Sequence, residues 1–220
     1  MMILNGLIKE LYCFGYGCAI LGAIDLKEII KKNLEGWKKF CGLDDWEKDL
    51  YSFDINKTPG SPCYFSEEKG GIFNCEYLYI NNYFEQMLTS NDVDFSESKE
   101  FFQVALQLKE TFYYAALQIA RAMDQENQSP PYYENLVKKN KDIGCLRFFS
   151  HTPGAYETFD TLKCNDFFIG LQLYKSGYNI NVMSYLGQKA IDMSNGKLKL
   201  PNKLFALSGS DEVIPIRCYF

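Results

Sequence analysis

The sequence predicts an α+β protein, mostly helical in its first half and built from short strands in its second. Two patterns carry that expectation. From Ser96 to about Met123, the residues Phe101, Ala105, Leu108, Phe112, Ala115, Ile119 and Ala122 recur at steps of three and four, the period of a helix packed along one face. After Gly144 come the runs "CLRFF", "TFDTLKC", "FFIGLQLY", "YNINVMSYL", "KLFAL" and "VIPIRCYF", separated by turn sequences such as "SGYN", "SNGK" and "SGSDE". With 220 residues, 47% of them hydrophobic, the chain can bury a large core. A single domain over residues 1–220 is expected, because no stretch of flexible composition separates the two halves.

Taken in order, residues 2 to 12 place Ile3, Leu4, Leu7, Ile8 and Leu11 on a helical stripe, and "FGYGCAILGAI" follows as a glycine-rich apolar run. A short helix feeding a buried strand fits that pattern. Asp25 stands where a helix N-cap belongs, ahead of Leu26, Ile29, Ile30, Leu34, Trp37 and Phe40, and Gly42 is the expected end of that helix. "LDDWEKDLYSF" offers another turn or two of helix, whereas "NKTPGSPCYFSEEKGG" reads as loop by composition. The long helix follows, and "DQENQSPPYY" ends it with polar residues and proline.

Charge and cysteine usage narrow the function. A net charge of −5 disfavours a surface that tracks phosphates, and the basic runs "KKNLEGWKK" and "VKKNK" alternate with apolar residues as solvated helix faces do, so no nucleic-acid partner is expected. Lys9, Glu10 and Asp25 interrupt the apolar start, and the run from Tyr12 to Ile24 is too short to span a bilayer, so neither a signal peptide nor a membrane anchor is expected. The eight cysteines are scattered, with no C-x-x-C pair and no Cys/His cluster at zinc spacing. They read as reduced, small hydrophobic residues of a cytoplasmic protein.

Five stretches, in order, carry a resemblance. "LIKELYCFGYGCAI" is similar to a helix and "GFF" strand, and "WKKFCGLDDWEKDLY" to a helix ending "FF-L-x-x-x-x-K". "YYENLVKKNKDIGCLRFFSHTP" is similar to the approach to an "LR-x-x-x-YP" strand, "IGLQLYKSGYNINV" to a "GGLQV…G-W-x-x-V" hairpin, and "MSNGKLKLPNKLFAL" to "TNG-x-x-K-S-x-x-HRV". Together they resemble the isopenicillin N synthase-like branch of the 2-oxoglutarate/Fe(II)-dependent oxygenases over most of the chain. The resemblance implies a double-stranded β-helix, or jelly roll, supported by helices.

It also implies an iron centre made by a 2-His-1-carboxylate triad, H-x-D on one strand and a second histidine downstream. Matched by their flanks, the H-x-D positions are Tyr156, Glu157 and Thr158, and the distal position is Asn202 or Lys203. The arginine-x-serine clamp for the co-substrate matches Val213 to Ile216, where neither residue type occurs. The chain holds a single histidine, His151, so one subunit cannot supply two imidazoles in any alignment. The connections from Pro153 to Tyr156 and from Val182 to Ser194 are also shorter than the family's.

Other catalytic patterns are weak. Ser150 and His151 are neighbours, which on a strand face opposite sides. There is no G-x-S-x-G elbow and no phosphate-loop spacing. Three readings stay open. The first is a catalytically inactive oxygenase-like protein, without metal or cofactor, acting as a binding or interaction module for a protein or small molecule. The second is an oxidoreductase with a non-standard Fe(II) centre built on His151 with Glu157 or Asp160. The third is an unrelated α+β protein. The 16 tyrosines, in clusters such as "NCEYLYINNYF" and "PPYYENL", suit interface anchors as well as core packing.

Overall fold

The computed structural model describes residues 16–20, 26–51, 64–69, 73–81, 98–126, 131–142, 144–150, 156–159, 170–174, 181–185, 204–207 and 213–219. The helical layer begins with α1 (Lys27–Cys41), in which Ile30, Asn33, Trp37 and Phe40 are buried at steps of three and four. Glu28 lies in its first turn and Lys38 and Lys39 in its last, each complementing the helix dipole. The helix ends at Gly42 as expected, but its N-cap is Leu26, which makes no side-chain cap. Asp25, the expected cap, lies outside the described residues. Helix α2 (Asp45–Asp49) follows with a capping box: the Asp44 backbone N–H donates to Glu47 Oε2 at 2.9 Å.

The long helix α3 (Lys99–Glu126) buries Phe101, Ala105, Leu108, Phe112, Ala115 and Ile119, as its periodicity predicts. It also buries Phe102, Tyr113, Ala116, Leu117, Ala120 and Met123. More than one face is covered because α3 touches α1, a fourth helix and two strands at once. Two details fix its approach to α1. Asn33 Nδ2 donates to Ile29 O at 2.8 Å and to Val104 O at 3.3 Å, and a Cβ placed on Gly36 would run into the Phe101 ring. Helix α4 (Tyr132–Lys139) is held to α3 by Asp124, whose carboxylate accepts the backbone N–H groups of Tyr132, Tyr133 and Glu134 at 2.9 to 3.0 Å. These donors belong to the first turn of a helix and have no partner within it.

Nine strands are described. These are β1 (Tyr16–Ile20), β2 (Tyr64–Lys69), β3 (Phe73–Ile80), β4 (Cys145–Ser150), β5 (Tyr156–Phe159), β6 (Gly170–Tyr174), β7 (Asn181–Tyr185), β8 (Leu204–Leu207) and β9 (Val213–Tyr219). Seven form one antiparallel sheet in the order β1-β7-β6-β9-β4-β3-β2, and β5 pairs with β8 in a second sheet. Each of the six apolar runs after Gly144 therefore overlaps a strand, and β1 lies in the glycine-rich run near the start. The helix expected over residues 2–12 lies outside the described residues.

One expectation is corrected. "NKTPGSPCYFSEEKGG", read as loop, contains β2, which pairs with β3 from Tyr64↔Leu78 to Lys69↔Phe73. Its glycines and prolines flank the strand rather than interrupt it, and pairing supplies the stability that its polar composition does not. The first half thus contributes three strands, β1, β2 and β3, to the large sheet.

Strand alternation divides that sheet into two faces. Leu78, Ile80, Leu146, Phe148, Leu171, Ile216 and Cys218 join Trp37, Phe40, Phe101 and Phe112 in the principal core. Phe148 meets Phe101 edge-on at 5.1 Å between ring centroids and stacks on Trp37 at 5.7 Å. On the other face Tyr77, Phe149 and Tyr79 form a separate, smaller cluster.

Candidate functional site

The expected metal positions come first. Tyr156, Glu157 and Thr158 lie on β5, where the backbone pairs Tyr156 with Leu207, Glu157 with Ala206 and Thr158 with Phe205. Alternation gives positions 156 and 158 one face of this small sheet and position 157 the other. Asn202 and Lys203, which immediately precede β8, lie outside the described residues, as do His151 and Asp160. Among the described residues, no group of three His, Cys, Asp or Glu stands close enough to hold a metal ion. The donor chemistry at positions 156 and 158 is a phenol and an alcohol, which do not fit an Fe(II) site that needs imidazole and carboxylate.

A polar cluster that sequence reasoning does not single out lies on the helix side, at the edge formed by β2 and β3. Glu76 Oε1 accepts from Lys48 Nζ at 2.9 Å and from the Tyr64 hydroxyl at 3.1 Å. Lys48 is buried, although it sits on the short helix α2. Burial and then the Glu76 carboxylate push the Cys41 thiol up to about 12, and the same two causes raise the Tyr64 hydroxyl. A thiol held protonated is not a nucleophile at neutral pH. The cluster therefore joins α1 and α2 to the β2-β3 hairpin and offers no reactive group.

The opposite face of the sheet holds a different set of residues. Arg147 on β4 is only 7% exposed, and its guanidinium carbon lies 5.0 Å from the Tyr77 ring centre, 5.6 Å from Phe149 and 6.0 Å from Tyr79. These are cation–π distances. Register then extends one row across six strands: Tyr79 on β3 pairs with Arg147, Arg147 with Arg217 on β9, and Arg217 with Gln172 on β6. Gln172 pairs in turn with Met183 on β7, and Met183 with Cys18 on β1. Position 217 belongs to this face because its neighbours Ile216 and Cys218 are buried in the helix-side core. Cys145 is two residues along β4 from Arg147, and burial pushes its thiol up to about 11 against the pull of Arg147 and Lys109. An arginine stays charged at any working pH, so Arg147 cannot serve as a proton donor or acceptor in catalysis. The "LR" of "CLRFF" is the only sequence signal for Arg147. Nothing in the sequence pattern links it to Arg217.

No protein-family model matches the chain. No curated protein matches its sequence. Solved structures do. A Caulobacter crescentus protein assigned to the 2OG-Fe(II) oxygenase family is similar with a TM-score of 0.67 at 13% identity, over 100% of this chain and 81% of that one. A Shewanella oneidensis protein assigned as an oxygenase is similar with a TM-score of 0.59 at 13% identity, over 98% and 84%. Dioxygenase for auxin oxidation 1 from Arabidopsis thaliana, solved as a binary complex with 2-oxoglutarate, is similar with a TM-score of 0.58 at 15% identity, over 100% and 87%. At these identities the likeness is one of backbone arrangement, and it shows that the chain shares its fold with structures of 2OG-Fe(II) oxygenases.

Proposed function

We propose that this chain is a degenerate member of the 2-oxoglutarate/Fe(II) oxygenase superfamily, closest in its motifs to the isopenicillin N synthase-like branch, which acts as a binding module and not as an oxygenase. In this reading the seven-stranded and two-stranded sheets are the two walls of a jelly roll. The observation that carries the proposal is the residue count: the chain has one histidine, and a triad needs two. Tyr156 and Thr158 at the matched ligand positions, and the lack of arginine or serine between Val213 and Ile216, point the same way. A fold outlives its chemistry readily, because packing is set by the core while activity depends on a few grafted residues.

Metal analysis of protein purified without chelator, together with a 2-oxoglutarate titration, tests the proposal. The expected result is no stoichiometric iron and no saturable 2-oxoglutarate binding. Iron near one equivalent, lost when Tyr156 or Glu157 is replaced, would overturn it and restore an oxygenase with a non-standard centre.

A further inference from the structure

We infer that the outward side of the α1-α2 corner is a self-docking surface, where a second copy of this chain binds across a two-fold axis with Trp46 as the anchor. The inference goes beyond the binding-module reading and does not depend on it. Helix α2 is held from one side, because Lys48 is buried against Glu76 and Tyr51, just past the helix, is part of the principal core. Its other side is turned outward. Trp46 is 66% exposed and Leu50 is 53% exposed, and a spacing of four residues puts them on one helix face. Tyr114 and Tyr132, which are also exposed, carry hydroxyls that water satisfies. Trp46 belongs to neither core cluster, although tryptophan is among the side chains most enriched at the energetic centre of interfaces.

The charges around this pair identify what covers it. Asp45 and Asp49, also four residues apart, form an exposed acidic row beside Trp46 and Leu50. Lys38 and Lys39, in the last turn of α1, form an exposed basic flank just before the corner. Lys38, Lys39 and Asp45 take part in none of the ion pairs among the described residues. Helix-end preference accounts for these three charges, but it does not account for an indole left in water beside them. The corner is therefore an apolar anchor with one acidic and one basic flank. A basic partner would match the first flank and be repelled by the second, and an acidic partner the reverse. A second copy matches both, since a two-fold axis between the flanks sets the lysines of each copy against the aspartates of the other.

One anchor per copy makes an interface at the small end of the range, so a dissociation constant of about 1 to 100 µM is expected. The test is sedimentation equilibrium of the full chain from about 1 to 500 µM, at low and at high salt. A monomer–dimer equilibrium weakened by salt is expected. Acrylamide quenching of Trp46, read against the buried Trp37, should fall as the dimer forms. Trp46→Ala should weaken association at least about tenfold, the scale of an interface anchor, with the melting temperature of the monomer unchanged. The charge arrangement is tested with Lys38→Glu/Lys39→Glu and Asp45→Lys/Asp49→Lys, each confirmed as folded by circular dichroism. Lys39→Glu and Asp49→Lys serve as a milder pair. Each variant alone should be monomeric, and a one-to-one mixture should associate, because reversing both flanks restores the match. A chain that stays monomeric to about 500 µM would overturn the inference, as would assembly beyond a dimer, a dimer untouched by Trp46→Ala, or folded charge variants that do not associate when mixed. An oligolysine peptide is the control for a different occupant: a monomeric chain that binds it through Trp46 would replace the second copy with a basic partner.

Discussion

Phe148 and Phe149 are adjacent on β4, both fully buried, and they belong to two different environments. Phe148 is part of the principal core, against Trp37 and Phe101. Phe149 belongs to a small aromatic cluster beside a buried guanidinium. The helix side pairs its buried charges internally, as Lys48 does with Glu76 and as Asp124 does with three backbone N–H groups. The other face sets two arginines in register. What distinguishes the faces is the kind of contact a buried charge makes: hydrogen-bonded partners for Lys48 and Asp124 on the helix side, aromatic rings around Arg147 on the other.

The largest expected effect tests that contrast directly. Phe148→Ala and Phe149→Ala should each cost about 3 to 5 kcal/mol in denaturant unfolding, because both rings are fully buried. A cost below about 1 kcal/mol for Phe149→Ala would show that the smaller cluster adds little to stability. Next is Asp124→Ala, which leaves the start of α4 without its acceptor. A loss of about 2 kcal/mol is expected from the cap and its charge-assisted hydrogen bonds. A stability change near zero would show that α4 needs no cap.

Gly36→Ala should cost about 1 to 2 kcal/mol, because the helix propensity gained by alanine is outweighed by the clash with Phe101. Stabilisation instead would mean that α1 shifts away from α3 at little cost. The smallest effect is one of pH. The Cys41 thiol rises from its ordinary 9.0 to about 12 in the folded chain, so the unfolded chain releases this proton first. The contribution is therefore complete below about 9 and is lost as pH climbs towards 12. Cys145, raised to about 11, adds to the loss over the lower part of that window. Melting temperatures at about pH 8 and pH 10.5 should show the decline, and Cys41→Ala should reduce it. A decline of the same size in Cys41→Ala would assign it to other groups.

Local periodicity makes much of the fold legible. The 3-4 spacing from Phe101 to Ala122 marks α3 because a helix buries one stripe whatever it packs against. Likewise each apolar run after Gly144 coincides, at least in part, with a strand. The β2-β3 hairpin escapes such reading. "YFSEEK" has no apolar face of its own, and its identity as a strand depends on the partner that pairs with it. "FNCEYLYI" stands out in the sequence as an aromatic cluster, although its alternation separates Leu78 and Ile80 from Tyr77 and Tyr79 as a two-faced strand requires.

The same division applies to function. The sequence by itself determined that these 220 residues hold a single histidine, since counting needs no geometry. The resemblance put Tyr156, Glu157 and Thr158 on a strand, where the structure has β5, whereas the apolar pattern marked only the run from Thr158 onward. Only the tertiary structure decided that Arg147 and Arg217 are partners. They lie on strands far apart in the chain, and each is ordinary within its own run. Register is a property of strand pairing, set by long-range hydrogen bonds and by the apolar residues that the helices cover, so a one-residue slip of β9 would move position 217 to the opposite face. Ile216 and Cys218, buried in the helix-side core, prevent that slip and thereby hold position 217 opposite Arg147.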